Sequence, residues 1–288
     1  MKKEIFVINL RGEKEPFSFQ KVYRSARNVG ASKEVAIAIA KEIEREVFDG
    51  ISTSQISDRI FELLFEKSPQ SAIKFNLRKA ILKLGPTGFP FEKFVSKIFE
   101  AEGFEVKTNQ MIPGFCTDYE IDFLAKTLSV FKAPLSGAKK ENLIYIGECK
   151  FRQDPGGRVD LKEALANYAR FLDIERGRFL DSRMNYKSIL VTNTKFTEKA
   201  IKYSNCVGVE LLGWKYPPER GLEKLIEKNK LYPITILPSI NSQLAKILIS
   251  ERIVLVKDIL KPDFEKLAKE RKIPQKERIL KEAEILLK

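Results

Sequence analysis

Histidine is absent from all 288 residues of the chain. That absence excludes Ser-His-Asp and Cys-His triads, imidazole acid–base catalysis, and zinc or iron sites that use histidine. Cysteine is scarce, with only Cys116, Cys149 and Cys206, widely spaced and without a C-x-x-C. An odd, scattered set reads as reduced thiols and predicts an intracellular, cytoplasmic protein. Long apolar runs are also missing. No stretch approaches the roughly 20 residues of a membrane span, so no membrane partner is expected. The N-terminal MKKEIFVINLRGEKE breaks into charge too early for a signal peptide. Repeats and low-complexity tracts are absent. Any catalysis must therefore come from carboxylates, lysine, tyrosine, cysteine or a carboxylate-bound metal.

Positive charge is abundant. Lys plus Arg number 52 against 39 Asp plus Glu, a net charge of +13. The excess is spread along the chain rather than held in a tail, which favours a polyanionic partner such as nucleic acid. Hydrophobic residues make up 43% of the chain, enough for packed cores.

Breaker residues divide the chain into three parts: 1–85, 86–230 and 231–288. The first cut falls at Leu84-Gly85-Pro86-Thr87-Gly88 and the second near Tyr232-Pro233. The first part opens with an alternating run from Glu4 to Leu10, a turn at Arg11-Gly12, and an extended piece through Pro16 and Phe17, which together predict a hairpin. Four helical stretches follow, at about 21–29, 32–48, 53–65 and 72–84. Ser32 is the expected N-cap of the second, and Val35, Ala36, Ile39, Ala40, Ile43 and Val47 its buried face. The second part begins with a helix whose apolar stripe is Phe91, Phe94, Val95, Ile98 and Phe99. Strands at 105–108, 119–125, 142–151, 187–192 and 208–212 then alternate with helices at 160–172 and 197–203, the pattern of an α/β domain. The third part reads as all-α.

Two of those strands carry chemistry. In NLIYIGECKF, period-2 alternation puts Ile144, Ile146, Glu148 and Lys150 on one face, and Tyr145, Gly147 and Cys149 on the other. In YEIDFL, Glu120 and Asp122 share a face, with Tyr119, Ile121 and Phe123 opposite. If these strands form a hairpin, Asp122 approaches Glu148. Two neighbouring carboxylates repel unless a cation lies between them. An all-oxygen set with room for water and phosphate oxygens suits Mg²⁺ or Mn²⁺, and Lys150 is placed to orient water or stabilise developing charge. A Glu-x-Lys alone is more often an ordinary ion pair on a solvated face. The ordered set of helix, E-x-D strand, E-C-K strand and helix is far more specific.

That ordered set resembles the Mrr-type branch of the PD-(D/E)xK, restriction-endonuclease-like nucleases. The residues that carry it are Gly88-Phe89-Pro90-Phe91-Glu92-Lys93-Phe94-Val95, Glu120-Ile121-Asp122 and Glu148-Cys149-Lys150. The likeness continues through Val159-Asp160-Leu161-Lys162-Glu163-Ala164-Leu165, Val191-Thr192-Asn193, Phe196-Thr197-Glu198-Lys199-Ala200 and Gly213-Trp214. It implies an α/β core with a mixed central sheet and Mg²⁺-dependent cleavage of DNA. By position, Asp122 and Glu148 would be metal ligands, joined by the Cys149 carbonyl. Lys150 would be the catalytic lysine and Glu92 an additional acid. Arg152 and Arg158 would contact phosphates. The Cys149 thiol itself is expected in the core. Cleavage of both strands would call for a homodimer.

The hairpin and four helices of 1–85 resemble an ATP-cone, a nucleotide-binding regulatory domain, through Gly12, Pro16-Phe17, Lys21-Val22 and Ala72-Ile73-Lys74-Phe75-Asn76-Leu77-Arg78. The resemblance implies ATP or dATP as a regulatory ligand, with Lys21 and Arg11 near its phosphates. The chain departs from that family where a Lys-Arg pair precedes the turn, since Asn9 and Leu10 stand there. Residues from Leu237 to Leu260 resemble a degenerate helix-hairpin-helix without its hairpin glycines. They would serve either non-specific DNA contact, through Lys246, Lys257, Lys272 and Lys276, or packing. Two other functions stay open at this point: a catalytically silent DNA-binding regulator or scaffold that responds to nucleotide, and a Holliday-junction-type resolvase.

Overall fold

Three serines start the first helices. The chain begins with strands β1 (Phe6–Ile8) and β2 (Lys14–Pro16), then α1 (Phe19–Asn28), α2 (Lys33–Glu46), α3 (Thr53–Lys67) and α4 (Pro69–Leu82). The side chains of Ser18, Ser32 and Ser52 cap α1, α2 and α3, and Gln55 completes a capping box at Ser52. The computed structural model describes residues 5–9, 12–85, 88–128, 142–154, 156–177 and 180–288. Arg11 lies outside them, as does most of the link between the two site strands.

The chain continues with α5 (Phe89–Ala101), β3 (Phe104–Pro113), β4 (Asp118–Thr127), β5 (Leu143–Lys150), β6 (Arg158–Val159), α6 (Leu161–Arg176), β7 (Asn185–Thr192), β8 (Lys195–Phe196), α7 (Glu198–Val207), β9 (Glu210–Leu212) and α8 (Leu222–Lys228). It ends in α9 (Ser242–Ser250), α10 (Val256–Ile259), α11 (Pro262–Glu270) and α12 (Lys276–Leu287). Contacts group these elements into two units. One comprises Met1–Lys79, Ile236–Ser239 and Gln275–Lys288; the other comprises Ala80–Thr235 and Ile240–Pro274.

In the first unit, β1 and β2 pair antiparallel with Val7 opposite Glu15, and Ile8 donates its amide to the Ile51 carbonyl at 2.9 Å. Of the expected face of α2, Ala36, Ile39, Ala40 and Ile43 are buried, as is Val47 at the C-cap, while Val35, in the first turn, is only half-buried. From α12, Ile279, Ala283 and Leu286 are fully buried. Glu282 of α12, also buried, accepts both the amide of Ser239, at 3.0 Å, and its hydroxyl, at 2.6 Å.

The second unit is built on a five-stranded sheet of order β3-β4-β5-β7-β9. The β3–β4–β5 part is antiparallel and the β5–β7–β9 part parallel. The sheet is therefore mixed, and the fold class is α/β. Helix α5 covers one face: all five residues of its predicted stripe are at most 1% exposed. Phe99 packs on Phe123 at 4.8 Å and on Phe104 at 5.5 Å between centroids. Helices α6 and α7 cover the other face, where Ala164 and Ala200 join Leu190 and Leu211 in one cluster.

One predicted face is corrected. Ile121 does not share its packing with Phe123. It clusters with Ile112, Ile146 and Ile174 of α6, while Phe123 lies against α5. The cause is local. Pairing of β4 with β5 ends at Phe123 opposite Gly147. In the β3–β4 ladder the pair Asn109–Asp122 is skipped, and Asn109 adopts φ 53°. The ladder is interrupted at Asp122, so alternation is not carried past it.

Candidate active site at the open ends of β4 and β5

Where the two strands stop pairing, a side chain takes over from the backbone ladder. Asp122 Oδ2 accepts the Cys149 N–H at 2.6 Å. The E-x-D and E-C-K strands thus meet as a hairpin pair, and the carboxylate is tied to the residue between Glu148 and Lys150. Gly147 is required just before this point. A Cβ there would lie 2.2 Å from the Phe123 ring, which crosses the strand.

Glu148 is buried, at 7% exposure. Its Oε1 accepts from Lys150 Nζ at 2.5 Å, and its Oε2 accepts from Arg170 Nη1 of α6. The Arg170 guanidinium also lies 6.0 Å from the Tyr119 ring centroid, within cation–π range. A buried carboxylate must be paired or bound to a cation, and here two cations do it.

Two further carboxyls crowd the same place. Asp122 is pushed up to about 6, chiefly by burial and then by the charge of Glu148, against the pull of its Cys149 amide bond. Glu92, from the first turn of α5, is pushed up to about 7 by burial and by Asp122, Glu148 and Glu120. Glu120 itself is exposed on β4. The Cys149 thiol is buried, and desolvation raises it well above its usual value, so it is an inert core group and not a nucleophile.

The end of β7 holds the E-C-K strand in place. Thr192 Oγ1 donates to the Lys150 carbonyl at 2.7 Å. Asn193 accepts the Arg152 amide and donates to the Arg152 carbonyl, each at 2.8 Å. The Arg152 side chain pairs with Glu163, which also closes the capping box of α6 with Asp160. A cavity of about 300 Å³ opens here, lined by Glu148, Lys150, Arg152, Lys162, Glu163 and Arg170. Arg158 does not line it: it sits on β6, paired in register with Lys195. Among the described residues, no group of three or more His, Cys, Asp or Glu side chains is arranged to hold a metal ion.

In the first unit, Lys21 is 68% exposed and bonded to Glu15 at 2.9 Å.

The comparisons with known proteins agree on one relationship. The AF1548-like C-terminal family matches residues 232–287. An uncharacterised protein of Archaeoglobus fulgidus is 38% identical over 173 residues, which is 60% of this chain and 87% of that protein. The chain belongs to the AF1548-like family. The crystal structure of AF1548, a protein of unknown function, is 35% identical, with a TM-score of 0.54, and covers 69% of this chain and 98% of that one. The MspJI restriction endonuclease in complex with a 27-mer oligonucleotide is 15% identical, with a TM-score of 0.32 over 63% of this chain and 38% of that chain.

Sequence reading of this AF1548-like chain missed Arg170, and gave no role to Glu163 and Asn193, although both stand in stretches that carry the resemblance. A signal for two of them was present. Glu163, Asn167 and Arg170 recur at i, i+4 and i+7 along α6, a polar stripe on a helix that must cover a sheet. Asn167 is buried and donates to Ser188 of β7 at 2.8 Å. The stripe therefore faces the strands, and Arg170 meets Glu148 on the same side.

Proposed function

We propose that the chain is a divalent-metal-dependent DNA endonuclease of the Mrr-type PD-(D/E)xK class. One observation carries the reading: Asp122 is bonded to the backbone between Glu148 and Lys150, with Glu92 alongside. The donor set fits a hard cation. After burial, the charge of Glu148 helps push Asp122 to about 6, and the charges of Asp122 and Glu148 help push Glu92 to about 7, crowding of the kind that a bound Mg²⁺ or Mn²⁺ would relieve. Asp122 and Glu148 would hold the ion, with the Cys149 carbonyl and waters. When bound, it would polarise a phosphodiester and acidify a coordinated water.

The side chains do the rest. Lys150, 35% exposed, lines the cavity, where it orients water and stabilises charge developing on phosphate. Glu92 exchanges a proton near neutral pH. Arg170 offsets the buried charge of Glu148 until a phosphate or metal competes for it. The hairpin and four helices of 1–85 support an ATP-cone-type regulatory module, with Lys21 released from Glu15 to meet a nucleotide phosphate.

A plasmid-cleavage assay tests the reading. Wild-type protein with Mg²⁺ or Mn²⁺ nicks or linearises DNA, and Asp122→Asn and Lys150→Ala each lose about 100-fold or more. If the variants cut as fast as wild type, or wild type does not cut, the reading fails. A second reading rests on one observation. Both oxygens of Glu148 are held by cations, which suits a silent DNA-binding regulator. Metal-independent DNA binding without cleavage would select it.

A further inference from the structure

We infer that DNA reaches the carboxylate site along α5, through a basic cleft walled by α9 and the turn that follows it. The identification of the polyanion as DNA rests on the nuclease reading; the cleft itself does not. Two cavities, of about 580 and about 600 Å³, share Lys93, the residue after Glu92. The first is lined by Lys83, Lys93, Gln153 and Lys246 over an apolar floor that includes Leu82 and Ile249. Gln153 follows Arg152 of the site pocket, so this cavity opens beside the site. The second continues along α5 past Lys97 to Arg252 and Lys261, and is also lined by Asn109, at the interruption of the β3–β4 ladder where the Asn109–Asp122 pair is skipped.

Charge decides the occupant. Six cations line the two cavities, against Glu100 and Asp258. Those two acids are already bonded to Lys97, at 2.7 Å, and to Lys261, at 2.7 Å. Lys246 and Arg252 are exposed, and no ion pair of either is found among the described residues. Such a lining leaves net positive charge for an anion that runs the length of the groove. Helix α5 has 13 residues and so runs about 20 Å, the rise of roughly six nucleotides of one strand. Lysine and arginine without acidic partners are the groups that neutralise phosphates and release counterions.

The test is binding of a labelled DNA duplex by the full chain, read by fluorescence anisotropy without divalent metal at several salt concentrations. The variant is Lys246→Glu/Arg252→Glu. Its control is Lys199→Glu/Lys202→Glu, the same change of charge at exposed positions of α7, across the sheet from α5. The cleft variant is expected to bind at least about 10-fold more weakly than the control, with a salt slope shallower by about 2. Thermal melting checks that both variants fold. Equal binding by the two variants would overturn the inference, as would displacement of the duplex by polyglutamate as effectively as by unlabelled DNA. Cleavage by wild type with an unaffected cleft variant removes only the cleft. Binding through the cleft without cleavage by wild type removes only the nuclease reading.

Discussion

Glu92 shows how one side chain registers its neighbours. Its carboxyl titrates at about 7, against an ordinary 4.5, because it is half-buried among other carboxylates. Between those values the folded protein holds a proton that the unfolded chain has released. The stability contribution of this group is full below about 4.5 and lost as pH rises through about 7. Glu92→Gln removes that loss. The variant should therefore melt higher than wild type at pH 8, by roughly 1–2 kcal/mol after allowance for solvent screening, with no gain near pH 4. A calorimetric Tm profile over pH checks this. If the proposed metal binds, saturating Mg²⁺ should shrink the difference at pH 8, since it relieves the same repulsion. Gly147 makes a second residue-level case. Gly147→Ala would drive a Cβ into the Phe123 ring and should cost about 1–3 kcal/mol. Phe123→Leu in the Gly147→Ala background should recover part of that in urea unfolding, because the clash is with the ring.

Among the elements, the turn between β3 and β4 is pinned by α6. Asp173 accepts the Cys116 amide on both oxygens, at 3.1 and 3.0 Å, and its carbonyl accepts the Phe115 amide at 2.9 Å. Gly177 is needed for this approach, since a Cβ there would meet Gly114 at 2.8 Å. Asp173→Ala should speed amide exchange at residues 115–117 while leaving α5 protected. Faster exchange across the whole sheet would instead mean that the turn is not an independent unit. Most elements could be read in the chain because each bears its own signal. The stripe of α5 recurs at helical spacing, Ser32 caps α2, and β5 is an apolar run ending in charge. Helix α8 went unread: at seven residues it is too short for a periodic pattern to stand out. The face of Ile121 was misread because alternation holds only while pairing is regular, and pairing is interrupted at Asp122.

Across the molecule, chain order and contact do not coincide. Residues 275–288 lie at the C-terminus yet group with the N-terminal elements. Glu282→Ala would leave the amide and hydroxyl of Ser239 without their buried acceptor, at a cost of about 1–3 kcal/mol. The loss should appear in exchange protection of α2 and α3 rather than of β5 and β7. The missing histidine, the Asp122–Glu148–Lys150 pattern and the helical and strand periodicities are local properties, so the chain alone decided the α/β class and pointed to the meeting of Asp122 with the E-C-K strand. Arg170 against Glu148, the crowding that lifts Glu92, and the return of α12 to the first unit depend on which segments pack together. Those pairings are long-range, and no local periodicity encodes them.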